Sequence, residues 1–268
     1  MIEAGKVIRL YQVLRPEDDK ALIVKLDYGL VNIPPPNDDV LGYANRLVEA
    51  GVDGIVVSMG MLKRVYKCFR GRRAPAPVIR LDWTNVLRLR GHPLPPRGGT
   101  HIVYGGVEEA LAMGATAVYH SFIVGVEEER EAYELDSVSS LARVADEYGL
   151  PLFIEVIPYG ERVIEENYMD VIGLGARMAV EAGADCIAIP WPGSLEGVKD
   201  LLKVLNVPVL LTEQLAKTSK WQPTPSMNEL VEAGRMANGL ILSYRRAVEW
   251  RVEELSRIVQ KLHKGDSR

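Results

Sequence analysis

Eight apolar segments, each followed by an amphipathic stretch, divide most of the chain into repeated units. Each segment is rich in β-branched residues or leucine, as expected for a buried strand, and each amphipathic stretch has helical spacing. The segments are residues 21–27, 51–58, 77–83, 115–124, 150–158, 184–190, 207–214 and 239–244. Eight strand-and-helix units favour a single (β/α)8 TIM barrel, an α/β fold, over an open doubly wound sheet.

The composition fits one such barrel. A chain of 268 residues, 47% of them hydrophobic, can bury one large core. We therefore expect one domain over residues 1–268, with residues 1–20 capping the bottom of the barrel. The net charge of −4 is spread over mixed signs, so no nucleic-acid binding is expected. No apolar run reaches the roughly 18 residues that a membrane span needs, and the N-terminus lacks a signal-peptide core, which predicts a cytoplasmic protein.

Cofactor signatures are absent from the sequence. The first strand ends in Asp-Tyr-Gly rather than GxGxxG, so no dinucleotide site is expected. Cys68 and Cys186 are the two cysteines, and they predict neither a disulfide framework nor a zinc site. Three carboxylates on different strands, Asp27, Glu155 and Glu213, are candidate ligands for a divalent cation, but no histidine accompanies them in sequence. We therefore predict no cofactor and no metal.

The active site of a TIM barrel lies where the strands end. Lys25 and Asp27 are two residues apart on the first strand, so their side chains project to the same side of the sheet. If they face the interior, Lys25 is either an amine nucleophile for a carbonyl substrate or one half of a structural ion pair. Glu155 on the fifth strand is likewise an acid/base or an ion-pair partner. His120 on the fourth strand is a proton shuttle or a hydrogen-bonded core residue.

Five segments of the sequence carry a family resemblance: IVKLDYG, VDGIVVSMGMLKR, GGVEEALAMGATAVYHSFIVGVEEE, LPLFIEVIPYGE and AVEAGADCIAIPWPGSLEGVKDLLKVLNVPVLL. Together they resemble the archaeal-type class I fructose-bisphosphate aldolases, the family of the DeoC/LacD aldolases and aminodideoxyheptulosonate synthase. The resemblance covers nearly the whole chain. It implies a TIM barrel, an aldehyde-lyase reaction through a Schiff base between a lysine and a ketose, and a catalytic role for Asp27.

Three parts of the family's site differ in this chain. The imine-forming lysine near the end of strand six falls on Ala188, and an alanine cannot form an imine. The acid/base tyrosine of strand five falls on Ile157. The phosphate-binding turns after strands seven and eight read TEQLAK and SYRR, without the glycines that let backbone N–H groups approach an anion. Glu213 in the first turn is expected to repel a phosphate.

Two hypotheses follow. The first is a divergent lyase for a sugar or keto compound without the usual phosphates, in which Lys25 or Lys217 supplies the amine. Its catalytic candidates are Lys25, Asp27, Glu155, Tyr159 and Lys217. Its substrate-binding candidates are His120, Trp191, Glu213, Ser243 and Arg245. The second is a catalytically inactive barrel that binds a small molecule or a protein partner.

A homo-oligomer is expected under either hypothesis. The loop of residues 84–99, rich in arginine and proline, is a candidate for a basic clamp over the site or for an oligomer contact.

Overall fold

The computed structural model of the protein describes residues 2–32, 39–89, 91–96, 98–214 and 218–263. The strands are β1 (Ala21–Lys25), β2 (Gly54–Ser58), β3 (Ala76–Arg80), β4 (Asp82–Thr84), β5 (His101–Val103), β6 (Ala117–Val124), β7 (Leu152–Pro158), β8 (Cys186–Pro190), β9 (Val209–Thr212) and β10 (Gly239–Leu242). The helices are α1 (Ile2–Val13), α2 (Val40–Ala50), α3 (Met59–Val65), α4 (Val107–Ala112), α5 (Glu128–Tyr148), α6 (Tyr168–Glu181), α7 (Leu195–Val204), α8 (Met227–Met236), α9 (Tyr244–Glu249) and α10 (Val252–His263).

Eight strands close into a barrel in which every neighbouring pair is parallel. From β1 the order around the barrel is β2, β3, β6, β7, β8, β9 and β10. The barrel closes where β10 pairs with β1, and Leu22 lies in register with Leu240. The predicted single (β/α)8 TIM barrel is therefore confirmed, and its strands correspond to the eight apolar segments.

The lower interior of the barrel is apolar. Alternate residues of the strands point inward and form one buried cluster, which includes Ile23, Val78 and Phe153. Val13 and Leu14, at the end of α1, belong to the same cluster. The end of the N-terminal helix therefore packs against the barrel interior near the starts of the strands, and the cap over residues 1–20 stays a prediction.

A polar layer lies above this apolar core. Lys25, Arg80 and Glu155 are each two residues beyond an interior residue of their own strand, so they point to the same side as that residue. All three are buried. Thr212 at the end of β9 is buried at the same level and bonds to Glu155. The strands thus place their charged residues at the end of the barrel where the strands finish.

The hairpin of β4 and β5 is a feature that the sequence analysis missed. The two strands pair antiparallel, outside the barrel. In the loop between them, Val86 and Leu87 are buried in a small cluster with Ile157 and other apolar residues. Arg88 donates to the carbonyl of Leu94 at 2.8 Å and stacks on Trp83. The described part of this loop therefore covers the barrel with apolar side chains, and its role as a basic clamp or an oligomer contact stays a prediction.

Two helices follow the last barrel strand. The short helix α9 ends at Glu249, the next residue Trp250 has an extended backbone, and α10 begins at Val252. Among the described residues, no helix is both long enough and apolar enough to cross a membrane.

Candidate active site

Lys25 and Glu155 form an ion pair across the barrel. Lys25 Nζ donates to Glu155 Oε1 at 2.5 Å, and the Thr212 hydroxyl donates to the same oxygen at 3.2 Å. Lys25 Nζ also lies 5.5 Å from the centre of the Tyr119 ring. Burial alone would raise the pKa of Glu155, but the charges of Lys25 and Arg80 outweigh burial and hold that pKa below its usual range. Glu155 is therefore ionised in the folded protein.

Arg80 holds a second set of buried groups beside this pair. Its Nη1 donates to Asp27 Oδ2 at 2.7 Å, and its Nη2 donates to Ser121 Oγ at 2.6 Å and to Asp82 Oδ2 at 3.3 Å. Burial opposes the charge, but Asp82 and Asp27 raise the pKa of Arg80 above its usual range. Arg80 therefore fixes Asp27 in place. Arg80 itself was absent from the predicted catalytic set.

The Glu213 carboxylate is surrounded by hydrogen-bond donors at the start of α9. Its Oε2 accepts from the Ser243 backbone N–H at 3.1 Å and from Ser243 Oγ at 2.9 Å. Its Oε1 accepts from Arg246, whose Nε lies 3.0 Å away. Arg246 therefore pairs with the Glu213 carboxylate, and the expected repulsion of a phosphate by Glu213 stays a prediction. Sequence reasoning missed Arg246 since it follows a different strand.

Five of the predicted candidates line one pocket, which we call the mouth pocket. It lies at the end of the barrel, has a volume of about 50 Å³, and its lining also includes Gln214 and Tyr244. The candidates that the structure brings together there are Lys25, Asp27, Glu155, Glu213 and Ser243. The mouth pocket therefore combines an amine, three carboxylates and a hydroxyl.

The side chain of His120 lies elsewhere, so the structure corrects its expected place in the substrate site. It is fully buried, and its Nε2 lies 3.0 Å from Ser137 Oγ on α5. Strand alternation explains this placement, because Tyr119 and Ser121 are the neighbours that point into the barrel.

Three other candidates also lie away from the mouth pocket. Trp191 is buried in the outer core and borders an adjoining side pocket, which shares Glu213 and Gln214 with the mouth pocket. Arg245 is half exposed and lies 3.5 Å from Glu249. Tyr159 is partly buried against the apolar cluster under the hairpin loop. Lys217 lies outside the described residues, so its position stays a prediction.

The lowered pKa of Glu155 predicts a loss of stability in acid. The unfolded carboxyl takes up a proton near its ordinary value of 4.5, whereas the folded one does so only at lower pH. Its contribution to the free energy of unfolding is therefore complete above about pH 4.5 and is lost as the pH falls through the folded pKa. Urea unfolding should show this acid-side slope in the wild type and a shallower slope in K25M/E155L. Equal slopes would assign the effect to other carboxylates.

Comparison with known proteins agrees with this architecture. An uncharacterized aldolase of Saccharolobus solfataricus is 26% identical over 267 residues, which cover 97% of this chain and 93% of that protein. The class 1 fructose-bisphosphate aldolase of Thermoproteus tenax is 28% identical over 201 residues, 72% of this chain and 71% of that protein. A solved structure of a Schiff base forming fructose-1,6-bisphosphate aldolase has a TM-score of 0.75 at 21% identity, covering 96% of this chain and 99% of that one. At 21% sequence identity, this structural match establishes that the two proteins share a fold and nothing more.

The family profile gives the wider assignment. The profile of the DeoC/LacD family aldolases matches residues 21–212, from the first barrel strand to the end of the seventh. This span includes Lys25, Asp27, Arg80 and Glu155, which form the polar layer. The chain therefore belongs to the DeoC/LacD family of aldolases.

Proposed function

We propose that the protein is a carbon–carbon lyase that forms a Schiff base with a keto compound through Lys25. The position of the Lys25 ammonium carries this proposal. Its partner Glu155 lies in register with Ala188 on the neighbouring strand. The amine from β1 therefore reaches the neighbourhood of the position that, by resemblance, holds the imine-forming lysine. Ala188 itself offers only a methyl group, which is buried in the apolar interior of the barrel.

Imine formation begins with the proton that Lys25 and Glu155 share. When a carbonyl substrate enters and excludes water, Glu155 takes a proton from the ammonium, because a neutral pair costs less in a dry site than two charges. The free amine then attacks the carbonyl carbon. Glu155 returns the proton to the departing hydroxyl, so that water leaves and a protonated imine remains. Glu155 is again ionised and now lies beside the positive imine.

Cleavage uses the same carboxylate. Glu155 removes the proton from the hydroxyl on the carbon beyond the bond that breaks, and the electrons of that bond pass to the protonated imine. An aldehyde leaves and an enamine stays on Lys25. Protonation of the enamine carbon by Glu155 and hydrolysis by water release the second product and restore the amine. Asp27, held by Arg80, orients the substrate hydroxyl groups.

The contacts of Glu213 favour a substrate that has no phosphate at the side of the mouth pocket next to the ends of β9 and β10. A phosphate near the ends of the seventh and eighth strands of a barrel is usually held by backbone N–H groups at a short helix. In this chain the Ser243 N–H and the Arg246 guanidinium are already engaged by the Glu213 carboxylate. We therefore propose that Ser243 and Glu213 contact an uncharged sugar or keto compound.

A second candidate function is a non-catalytic barrel that binds a small molecule or serves as an assembly subunit. The observation that favours it is the same ion pair, since Glu155 is fully buried and holds Lys25 at 2.5 Å. A structural pair of this kind would fill the barrel without chemistry. A homo-oligomeric state and a cytoplasmic location stay predictions under both functions.

Borohydride trapping separates the two functions. The full-length protein is incubated with sodium borohydride and, in separate reactions, with pyruvate, dihydroxyacetone and glyceraldehyde, and its intact mass is measured. A class I lyase gains the mass of one reduced adduct per chain with at least one ketone, because borohydride reduces the imine to a stable amine. A non-catalytic barrel gains no more mass than Lys25→Met does under the same conditions, and that result would overturn the lyase proposal.

A further inference from the structure

A cluster of three side chains lies between the β4–β5 hairpin, β6 and α5, apart from the mouth pocket. Asp82, His101 and His120 each offer one ligand atom, and these atoms all lie within 4.8 Å of one another. His101 Nε2 is 3.0 Å from Asp82 Oδ2. Two ligands bound to one zinc ion at about 2.1 Å in tetrahedral geometry lie about 3.4 Å apart. The spacing of this histidine cluster is therefore close to that of a metal site.

Each histidine has one ring nitrogen held by α5. His101 Nδ1 lies 2.5 Å from Glu134 Oε2, and His120 Nε2 lies 3.0 Å from Ser137 Oγ. Metal-ligating histidines commonly have their second nitrogen held by a carboxylate or another polar group, which sets the ring orientation. The two ring nitrogens that have no bond to α5 are therefore His101 Nε2 and His120 Nδ1.

Two atoms of the histidine cluster are buried and lack hydrogen-bond partners among the described residues. They are His120 Nδ1 and Asp82 Oδ1, and both residues are fully buried. Buried polar atoms are nearly always hydrogen-bonded, so each exception needs an explanation. A cation bound by the cluster would supply the partner that the Nδ1 lone pair lacks.

Arg80 is the cation that competes for Asp82. Its Nη2 lies 3.3 Å from Asp82 Oδ2, and its Nε lies 3.2 Å from Asp82 Oδ1 without hydrogen-bond geometry. Asp27, 2.7 Å from Arg80 Nη1, balances the charge of the guanidinium. The carboxylates of Asp82 and Glu134 therefore remain to balance the charge of a divalent cation. Arg130 competes only weakly for Glu134, since its Nε lies 3.9 Å from Glu134 Oε1.

We propose that Asp82, His101 and His120 bind one divalent transition-metal ion, for which two imidazoles and one carboxylate favour zinc. Three protein ligands leave a fourth position for water. On binding, the metal replaces the proton that lies between His101 and Asp82, and that proton passes to solvent. The ligands come from β4, β5 and β6, so the ion ties the hairpin to the barrel wall. The proposal does not rest on the proposed lyase function, although Asp82 also contacts Arg80 of the polar layer.

Metal titration of the full-length protein tests the proposal directly. After treatment with a chelator and buffer exchange, the protein is titrated with zinc chloride, and bound metal is counted by mass spectrometry. We expect one equivalent per chain. We also expect the melting temperature to rise by about 5 °C at a zinc concentration near 100 times the Kd. Cobalt chloride should give the visible absorption of a low-coordinate site. Failure to bind one equivalent of either ion would overturn the proposal.

Variants assign the site. His120→Gln and Asp82→Asn should weaken zinc binding by about 100-fold or more. His263→Gln is the matched control, because His263 also lies between two carboxylates, at 2.8 Å from Asp18 and 2.9 Å from Asp53, but both of its nitrogens have partners. This control should bind zinc as the wild type does. Wild-type affinity in His120→Gln, or a loss confined to His263→Gln, would contradict the assignment. If the cluster variants do not fold, the wild-type titration and cobalt spectrum decide.

Discussion

The rate of carbon–carbon cleavage should be lower in Lys25→Met than in the wild type by about 10⁴-fold or more. This holds for any ketone that forms a borohydride-reduced adduct with the wild type. Removal of a nucleophile abolishes the covalent pathway and leaves only binding and polar stabilisation, which accelerate reactions far less. Methionine keeps the length and apolar stem of lysine, so the side chain still fills the space beside Tyr119. The measurement is the rate of aldehyde release in a coupled assay, with circular dichroism to show that the barrel is intact.

The control for this experiment is Lys199→Met. Lys199 is exposed on α7 and pairs with Glu196 at 3.2 Å, so its loss should leave the rate unchanged. Retention of more than about a tenth of the wild-type rate in Lys25→Met would exclude Lys25 as the nucleophile. The amine would then have to come from another lysine, with Lys217 the candidate that the sequence names.

Glu155→Leu should lower the free energy of unfolding by about 3–5 kcal/mol. The change leaves the Lys25 ammonium buried without its carboxylate, and an unpaired buried charge is strongly destabilising. The double variant K25M/E155L should recover most of the loss, because replacement of both charges by apolar groups removes the desolvation cost on each side. Urea unfolding of the wild type, the two single variants and the double variant gives the coupling energy.

A surface ion pair is the matched comparison. Asp200 and Lys203 lie 2.7 Å apart on α7, but their side chains are 50% and 68% exposed. Asp200→Leu should therefore change stability by less than about 1 kcal/mol. A loss in Glu155→Leu no larger than in Asp200→Leu would mean that water reaches the Lys25 ammonium in the folded barrel. The ion pair would then not be a dry site for imine chemistry.

The barrel and part of its site could be predicted because both depend on local periodicity. The period-2 alternation of β1 places Lys25 on the same side as Ile23, and the structure shows Ile23 inside the barrel. The same rule applied to β6 would have placed His120 outside, because Tyr119 and Ser121 face the interior. His120 was placed among the substrate-binding candidates because proximity to a strand end was weighed above the direction of the side chain, whereas its position agrees with the alternative of a hydrogen-bonded core residue.

The remaining parts depend on contacts between residues far apart in sequence. The β4–β5 hairpin has strands of three residues, too short for an alternating pattern to be recognised. His101 follows the predicted loop of residues 84–99, in a stretch to which no strand was assigned, so its position beside Asp82 could not be inferred. Glu213 meets Arg246 only because neighbouring barrel strands bring their loops together. Such pairings carry no local sequence signal.

Peptide mapping of the trapped protein tests the central claim most directly. Wild-type protein is reduced with borohydride in the presence of the ketone that gives an adduct, digested, and sequenced by tandem mass spectrometry. The account predicts that the added mass lies on Lys25 and is absent from the same peptide of a sample reduced without ketone. An adduct on Lys217 or on a surface lysine, with Lys25 unmodified, would contradict it.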